Sequence, residues 1–144
     1  MEDRTYPTRP MLSASLAVWR GDDVLIAQRG KAPLRGIWSL PGGVVELGET
    51  AAQAARREVL EETAIEAEVV GLVDIVDVIH HDDAGDVYVH FVIAVFAGRY
   101  LSGTASAADD AMDAKWIRTS DLDAFTFTDR TPALIQRSRQ LVET

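Results

Sequence analysis

Residues 43–65 read GVVELGETAAQAARREVLEETAI, and this stretch decides the fold expected for the chain. Its later part, residues 50–63, contains neither glycine nor proline, is rich in Ala, Glu, Arg and Leu, and begins with a threonine that can cap a helix. The segment at residues 29–49 is rich in glycine and proline and should be mainly loop, with a short strand at residues 38–40. The sequence therefore predicts a long loop that leads into a helix over residues 50–63.

Three glutamates fall on one face of this predicted helix. At about 100° per residue, Glu58, Glu61 and Glu62 lie within about 100° of arc. The small residues Ala51, Ala54 and Ala55 are expected on the same face, where they would leave room for an ion or a ligand. Val59, Leu60 and Ala52 are expected to point elsewhere, towards a core. Glutamates on a helix surface are usually just solvated, and the helix taken alone favours that reading. The spacing of the surrounding residues changes it.

That spacing resembles the Nudix box. The matching positions are Gly43, Glu49, Arg57, Glu58, Glu61 and Glu62, with Val59 and Ile65 as the bulky aliphatic residues. A match over so many spaced positions is more specific than a lone glycine motif. The departure is Ala64, where the family has glycine. An alanine in the left-handed conformation costs about 1 kcal/mol, so either this cost is present or the helix ends differently. Since Ala64 carries no reacting group, the metal site should survive.

The resemblance extends to residues 36–43 upstream and to Trp116-Ile117 and Asp121-Leu122 downstream. It implies an α/β fold, a three-layer α/β/α sandwich with a mixed β-sheet between helices. It further implies a single domain over residues 1–144 with a short leader at residues 1–10. The implied activity is metal-dependent hydrolysis of the diphosphate linkage in a nucleoside diphosphate joined to another group.

The same resemblance assigns roles to the glutamates. Glu58, Glu61 and Glu62 would bind Mg²⁺, with a backbone carbonyl near Gly43 adding to the ligand set, and Mn²⁺ should substitute. The ion would neutralise phosphate oxygens and hold the attacking water in line. Glu58 is also a candidate for the general base.

Arg57 and an acidic loop complete the implied site. Arg57 is expected to pair with Glu49 and so to orient the carboxylates, the alternative being a plain surface salt bridge. Some relatives take a base or an extra ligand from a loop ahead of the Trp-bearing strand. Asp110 is the preferred candidate there, and the alternative is that this loop is merely solvated. The candidate catalytic residues are Glu58, Glu61, Arg57 and Asp110.

Basic and aromatic side chains near the box are candidates for substrate binding. Arg29 and Arg35 flank the loop that enters the box and could hold phosphate by forked hydrogen bonds, although surface solubility explains Arg35 equally well. Trp38 and Tyr88 are candidates for stacking on a base, but packing in the core or at a sheet edge is the more common fate of such rings. Residues 80–83 read HHDD and are expected to be turn residues rather than a metal site.

The rest of the chain predicts strands on both sides of the helix. Turn-like segments at residues 21–23 and 81–86 each separate two strand-like runs and predict two hairpins. The predicted elements are strands at residues 12–19, 24–28, 66–80, 87–96 and 114–118, a helical turn at 120–122 and a helix at 131–142.

Composition limits the partners of the chain. Among its 144 residues, 23 are acidic and 14 are basic, giving a formal net charge of −9. A chain with this charge is expected to bind polymeric DNA or RNA poorly. Binding of a small nucleotide is compatible with the charge, because divalent cations bridge carboxylates to phosphates. There are no cysteines, and no segment approaches the roughly 18 apolar residues of a membrane helix. We expect a cytoplasmic protein without membrane partners. Many relatives are dimers, so a homodimer is compatible with the resemblance, but the residues leave the oligomeric state open.

The substrate class stays open at this stage. Residues 80–83 lack the proline of many ADP-ribose hydrolases and the tyrosine associated with dinucleoside polyphosphates. Two classes remain, nucleoside diphosphate sugars such as ADP-ribose and nucleoside triphosphates, including oxidised ones, as in the MutT branch. A non-catalytic, ligand-sensing module on the same fold is the alternative to an enzyme, because fold does not dictate activity. Such modules often lose box glutamates, which this chain retains.

Overall fold

The computed structural model describes residues 4–31 and 34–143. Some expectations lie outside the described residues, namely those for residues 1–3 of the leader, residues 32 and 33 of the long loop, and residue 144. The strands are β1 (Met11–Arg20), β2 (Asp23–Arg29), β3 (Trp38–Ser39), β4 (Gly42–Val44), β5 (Glu66–His81), β6 (Val87–Ser102) and β7 (Ala111–Arg118). The helices are α1 (Ala51–Thr63), a 3₁₀ segment (Thr119–Ala124) and α2 (Thr131–Glu143). Each predicted element is present, most of them one to several residues longer than expected.

In the described residues the strands form one mixed sheet of seven, in the order β3-β2-β1-β6-β5, with β4 beside β1 and β7 beside β2. The β1 and β6 strands run parallel, and the other pairs are antiparallel. Both predicted hairpins are confirmed. The first pairs only next to its turn, at Trp19 with Val24 and Arg20 with Asp23. Strand β2 pairs with β7 along its whole length and with β3 at its far end, while Ser13–Ser15 of β1 pair with β4.

The sheet is covered by a helix on each face. Alternate residues of β1 enter two separate cores, as expected for a central strand with successive side chains on opposite faces. Leu16 and Val18 pack with α1, whereas Ala17 and Trp19 pack with the core that contains Leu134 and Ile135 of α2. The predicted α/β/α sandwich with a mixed sheet is therefore confirmed.

Both ends of α1 are defined by local chemistry. The Thr50 side chain accepts a hydrogen bond from the Gln53 backbone N–H, and the Gln53 side chain accepts one from the Thr50 N–H. This reciprocal pair satisfies two N–H groups that a helix start leaves open. At the other end Ala64 has a φ of 63° and a ψ of 19°, and its N–H donates to the Leu60 carbonyl. The alanine thus adopts the left-handed conformation that the family glycine would adopt at lower cost.

Helix α2 is attached to the sheet by a buried hydrogen bond. The indole Nε1 of Trp19 donates to Ser138 Oγ over 2.9 Å, and Ser138 Oγ donates to the Ile135 carbonyl. Each polar atom in this group is therefore satisfied, as buried polar groups require. None of the helices in the described residues is long and apolar enough to cross a membrane.

Candidate active site

The site is built where β4 lies between β1 and α1. A Cβ atom added at Gly42 would lie 2.4 Å from the Ala14 carbonyl oxygen, and one added at Gly43 would lie 2.4 Å from the Glu58 carboxyl carbon. Both distances are far shorter than any real contact, so a side chain at position 42 would collide with the backbone of β1 and one at position 43 would displace the Glu58 carboxylate. Glycine at position 43 lets the Glu58 carboxylate rest directly against the backbone of β4.

Glu62 is the most buried of the three glutamates, with 9% of the residue exposed. Its Oε2 accepts a 3.3 Å hydrogen bond from the Gly42 N–H. Burial, and then the neighbouring charge of Glu58, raise the pKa of Glu62 to about 8, although the Gly42 hydrogen bond and Arg29 act in the opposite direction. Little neighbouring positive charge offsets the negative charge of the ionised Glu62 carboxylate, so an added cation would stabilise that ionised form.

Glu58 and Glu61 become progressively more open to solvent along the same face. Burial raises the pKa of Glu58, which Arg57 opposes by a hydrogen bond and by its charge, and Arg4 opposes more weakly. Glu61 is exposed and accepts a hydrogen bond of 3.2 Å from Arg57. The predicted shared face of Glu58, Glu61 and Glu62 is therefore present, and it runs from the buried edge of β4 to solvent.

Arg57 connects these elements, and its predicted pairing with Glu49 is confirmed. Nε and Nη2 of Arg57 donate to the two carboxylate oxygens of Glu49 over 2.7 and 3.0 Å. Nη1 donates to Glu58 and Glu61, and Nη2 also donates to the Val44 carbonyl. These bonds use every N–H donor that a guanidinium possesses. Arg57 is therefore a positioning residue that sets the orientation of Glu58 and Glu61, with no donor left over for a substrate.

The structure corrects one expectation about α1. Ala54 and Ala55 do not leave open space beside the glutamates, because both are fully buried and pack with Val59 against the sheet. Leu60, in contrast, is exposed. The space near the carboxylates is created by the missing side chains at Gly42 and Gly43.

The acidic loop between β6 and β7 reaches the end of α1. The N–H of Ala108 donates to the Glu62 carbonyl over 2.9 Å, and Asp110 lies near enough to contribute to the raised pKa of the Glu62 carboxyl. Asp110 itself forms a 2.7 Å ion pair with Lys31. The loop is therefore attached to the end of α1 that carries Glu62. Lys31 could not be recognised from the sequence pattern as the partner of Asp110. The one available signal was the position of Lys31 in the basic segment that follows β2.

The predicted substrate-binding residues are placed in different surroundings. Arg29 ends β2 and lies near enough to Glu62 to lower the pKa of its carboxyl, so the fold brings Arg29 to the carboxylates. Arg35 is exposed, and within the described residues no hydrogen bond or ion pair joins it to the carboxylates. Trp38 is only 8% exposed, with its ring 5.2 Å from that of Phe125. The stacking role suggested for Trp38 is therefore not supported, and the alternative of core packing describes it.

Two further expectations concern the β5–β6 hairpin. The ring of Tyr88 meets that of Tyr6 edge-on at 5.4 Å, so the leader, rather than a base, covers it. The expectation of turn residues was wrong for His80 and His81, which are the last residues of β5, are exposed and pair with Val89 and Val87 of β6.

The oxygen donors fit a magnesium ion in kind. In the part of the chain that the structure describes, no three His, Cys, Asp or Glu side chains converge tightly enough to hold one ion by themselves. Mg²⁺ keeps several waters and commonly uses one or two carboxylates together with substrate phosphates. Glu58 and Glu62 against the glycines of β4 suffice for that mode. The Gly43 carbonyl accepts a 2.8 Å hydrogen bond from Ser13 Oγ and keeps a second lone pair.

Comparison with known proteins identifies the family of the chain. Residues 9–138 match the family model described as the NUDIX domain. An ADP-ribose pyrophosphatase of Methanocaldococcus jannaschii is 30% identical over 118 residues, which cover 82% of this chain and 68% of that protein. The human 8-oxo-dGDP phosphatase NUDT18 is 36% identical over 101 residues, covering 69% of this chain but only 29% of the relative. The crystal structure of a MutT NUDIX hydrolase from Burkholderia pseudomallei superposes with a TM-score of 0.75 and 29% identity, over 90% of this chain and 98% of that one. The chain belongs to the Nudix hydrolase family.

Proposed function

We propose that the chain hydrolyses the diphosphate linkage of a nucleoside diphosphate joined to another group, with Mg²⁺ as the metal. The observation that carries this proposal is the arrangement of Glu58 and Glu62 against the glycines of β4. Both carboxyls have a raised pKa, which identifies an acidic site short of positive charge. A divalent cation with the diphosphate of a nucleotide is the ligand that such a site favours.

In this proposal Glu58, Glu61 and Glu62 hold the ion together with the Gly43 carbonyl. When bound, Mg²⁺ supplies neutralisation of the phosphate oxygens as charge shifts in the transition state. Arg57 holds Glu58 and Glu61 in place, and the donation from Ser13 to Gly43 fixes the carbonyl. The protein residues thus position the ligands before the substrate arrives.

Arg29 is proposed to bind a phosphate of the substrate. It ends β2 on the side of Glu62, and a guanidinium offers a forked pair of donors that matches a phosphate. The candidates for accepting the proton of the attacking water are Glu58 and Asp110. Asp110→Asn should reduce kcat at least tenfold if Asp110 is the base. Asp109→Asn is the matched control. Asp109 is exposed, and its backbone has a left-handed conformation that asparagine tolerates.

ADP-ribose and related nucleoside diphosphate sugars are the first substrate class to test. Support comes from the relative named ADP-ribose pyrophosphatase, which aligns with 82% of this chain. Nucleoside triphosphates and oxidised nucleotides are the second class, supported by the relatives named 8-oxo-dGDP phosphatase. The products separate the classes. A nucleoside monophosphate with a sugar phosphate indicates the first, and a nucleoside monophosphate with inorganic diphosphate indicates the nucleoside triphosphates of the second.

The activity is tested with Glu61→Gln and Glu62→Gln in Mg²⁺, assayed on both classes. We expect each variant to lose most of kcat, because a neutral amide is a weak metal ligand. Glu66→Gln is the control, since Glu66 is an exposed glutamate just beyond α1 that forms a 3.6 Å ion pair with Arg56. Wild-type turnover in both box variants would overturn the proposal. Binding of ADP-ribose to the wild type without any hydrolysis would indicate a ligand-sensing module instead.

The same proposal covers the organisation of the protein. Residues 1–144 are proposed to act as a single Nudix domain in the cytoplasm, on small nucleotides rather than nucleic-acid polymers or membranes. A homodimer is the assembly to test first, by sedimentation velocity at several protein concentrations.

A further inference from the structure

Strand β5 forms one edge of the sheet. Among the described residues it pairs with β6 alone, so the other side of its backbone, the β5 edge, faces no strand. Residues 69–79 of this strand read VVGLVDIVDVI, in which the two aspartates are the only charged residues. Apolar strands with little charge and no proline associate readily with other strands where their backbone is accessible. The β5 edge is therefore a place where a second strand would be expected to add.

Apolar side chains along β5 increase this tendency. Leu72, Ile75 and Ile79 are 51, 46 and 45% exposed. Ile75 and Ile79 are four residues apart in a strand, so their side chains lie on the same face. A strand added beside them would cover part of this apolar surface. Side-chain burial and backbone pairing would thus both favour its addition.

Two backbone groups in the middle of β5 are already bonded to side chains. The Ile75 N–H donates to Asp74 Oδ1 over 2.8 Å. The register with β6 is irregular between Leu72 and Asp74 and skips Val73, whose carbonyl accepts a 3.2 Å hydrogen bond from Arg137 Nη2. A strand that paired with these groups would first have to break both bonds.

Helix α2 holds the aspartate in this position. Arg130 Nη2 and Arg137 Nη1 donate to Asp74 Oδ2 over 3.0 and 2.9 Å. Mainly the Ile75 N–H, and also the two arginines, lower the pKa of Asp74. One carboxylate oxygen is thus bonded to the backbone of β5 and the other to α2. Hydrogen bonds to charged groups are stronger than those between neutral groups, so this arrangement is costly to open.

The opposite edge of the sheet shows the same local arrangement. In the part of the chain that the structure describes, β7 pairs with β2 alone. Asp113 Oδ1 accepts a 2.8 Å hydrogen bond from the Ala114 N–H, and Lys115 forms a 4.0 Å ion pair with Asp113. An aspartate that bonds the next backbone N–H and pairs with a basic side chain therefore occurs on both edge strands.

We propose that Asp74, held by Arg130 and Arg137, blocks the β5 edge against a second copy of this chain. The second copy is the relevant partner because it carries the same edge, and two identical antiparallel strands can pair about a two-fold axis. Any homodimer of the wild type is then expected to use another surface. This inference does not depend on the proposed function.

The test compares Asp74→Ala with Asp77→Ala, which removes the same charge from an exposed position of the same strand. Hydrogen exchange of a peptide that covers residues 74–80 is measured at increasing protein concentration, with sedimentation velocity on the same samples. Asp74→Ala should gain protection that depends on concentration and should associate about 10- to 100-fold more tightly than Asp77→Ala. Asp74→Asn keeps an acceptor oxygen for the Ile75 N–H and should lie between the two.

Arg137→Gln is a second variant, because it releases the Val73 carbonyl without a change in β5. It should also gain protection of residues 74–80 that depends on concentration. Circular dichroism and Tm establish that each variant is folded, and if Asp74→Ala does not fold, Arg137→Gln decides. Concentration-dependent protection of β5 in the wild type, or equal association of Asp74→Ala and Asp77→Ala, would overturn the proposal. Behaviour like the wild type in both Asp74→Ala and Arg137→Gln would overturn it as well.

Discussion

Replacing Ala64 by glycine should make the protein more stable. Ala64 has a φ of 63° and is exposed, so glycine removes an unfavourable Cβ contact and gives up no buried surface. The left-handed conformation costs an alanine about 1–2 kcal/mol. Glycine also gains freedom in the unfolded chain, which costs about 0.4–1 kcal/mol. The net expectation is an increase of about 0.5–1 kcal/mol in the free energy of unfolding.

Urea denaturation followed by circular dichroism measures this change, together with a thermal scan in which Tm should rise by about 2–4 °C. Ala84→Gly is the control, because Ala84 is also exposed and is not among the residues with positive φ. Glycine there should lower stability. The reasoning about Ala64 is refuted if Ala64→Gly is no more stable than the wild type, or if both variants shift in the same direction. The hydrogen bond from residue 64 to the Leu60 carbonyl is a backbone bond and should survive in the variant.

Substitutions at three other positions test separate parts of the molecule. Arg57→Lys should weaken Mg²⁺ binding by about 10- to 100-fold in calorimetry, because an ammonium cannot span Glu49 and the box carboxylates together; unchanged affinity would contradict the positioning role. In the metal-free protein the pKa of Glu62 is about 8 in the folded state and about 4.5 in the unfolded chain, so the folded state binds the proton more tightly. This group therefore contributes its full stability below the unfolded pKa, and the contribution is lost as pH rises towards 8. Urea midpoints measured in a chelator should therefore fall between pH 5 and 8 for the wild type and fall less for Glu62→Gln, in which Glu58 with its raised pKa still titrates, and parallel curves would argue against it. Trp38→Ala should cost about 3–5 kcal/mol of stability, whereas Trp38→Phe should leave KM unchanged, as expected for a core side chain and not for one that stacks on a base.

Local sequence signals predicted α1 well but misjudged its orientation. The cap at Thr50 and the shared face of the glutamates depend on neighbouring residues and on helical geometry, and both are present. A helical wheel gives the angles between side chains without saying which direction faces the sheet. On the wheel Ala54 and Ala55 fall within or next to the arc of the glutamates and Leu60 falls on the far side, and only the position of β1 decides that the alanines are buried.

The long-range contacts could not be predicted from the sequence. The parallel pairing of β1 with β6 joins residues far apart along the chain, and the sequence pattern of each strand is compatible with several neighbours. The ion pair of Lys31 with Asp110 depends on how two irregular segments meet. The contact of Tyr6 with Tyr88 depends on where the leader leaves the sheet. None of these follows from local propensity or from the spacing of the box.

The last carbonyls of α1 are capped from outside the helix. Ser106 and Ala108, in the irregular loop between β6 and β7, donate their N–H groups to the carbonyls of Thr63 and Glu62. In hydrogen exchange, amides of an irregular surface loop normally exchange fast, because they open without disturbing a core. These two are coupled to the helix that carries the glutamates. Their exchange should therefore slow to the rate at which the end of α1 opens. These two amides thus report on motion beneath the site, although neither needs to contact the metal or the substrate.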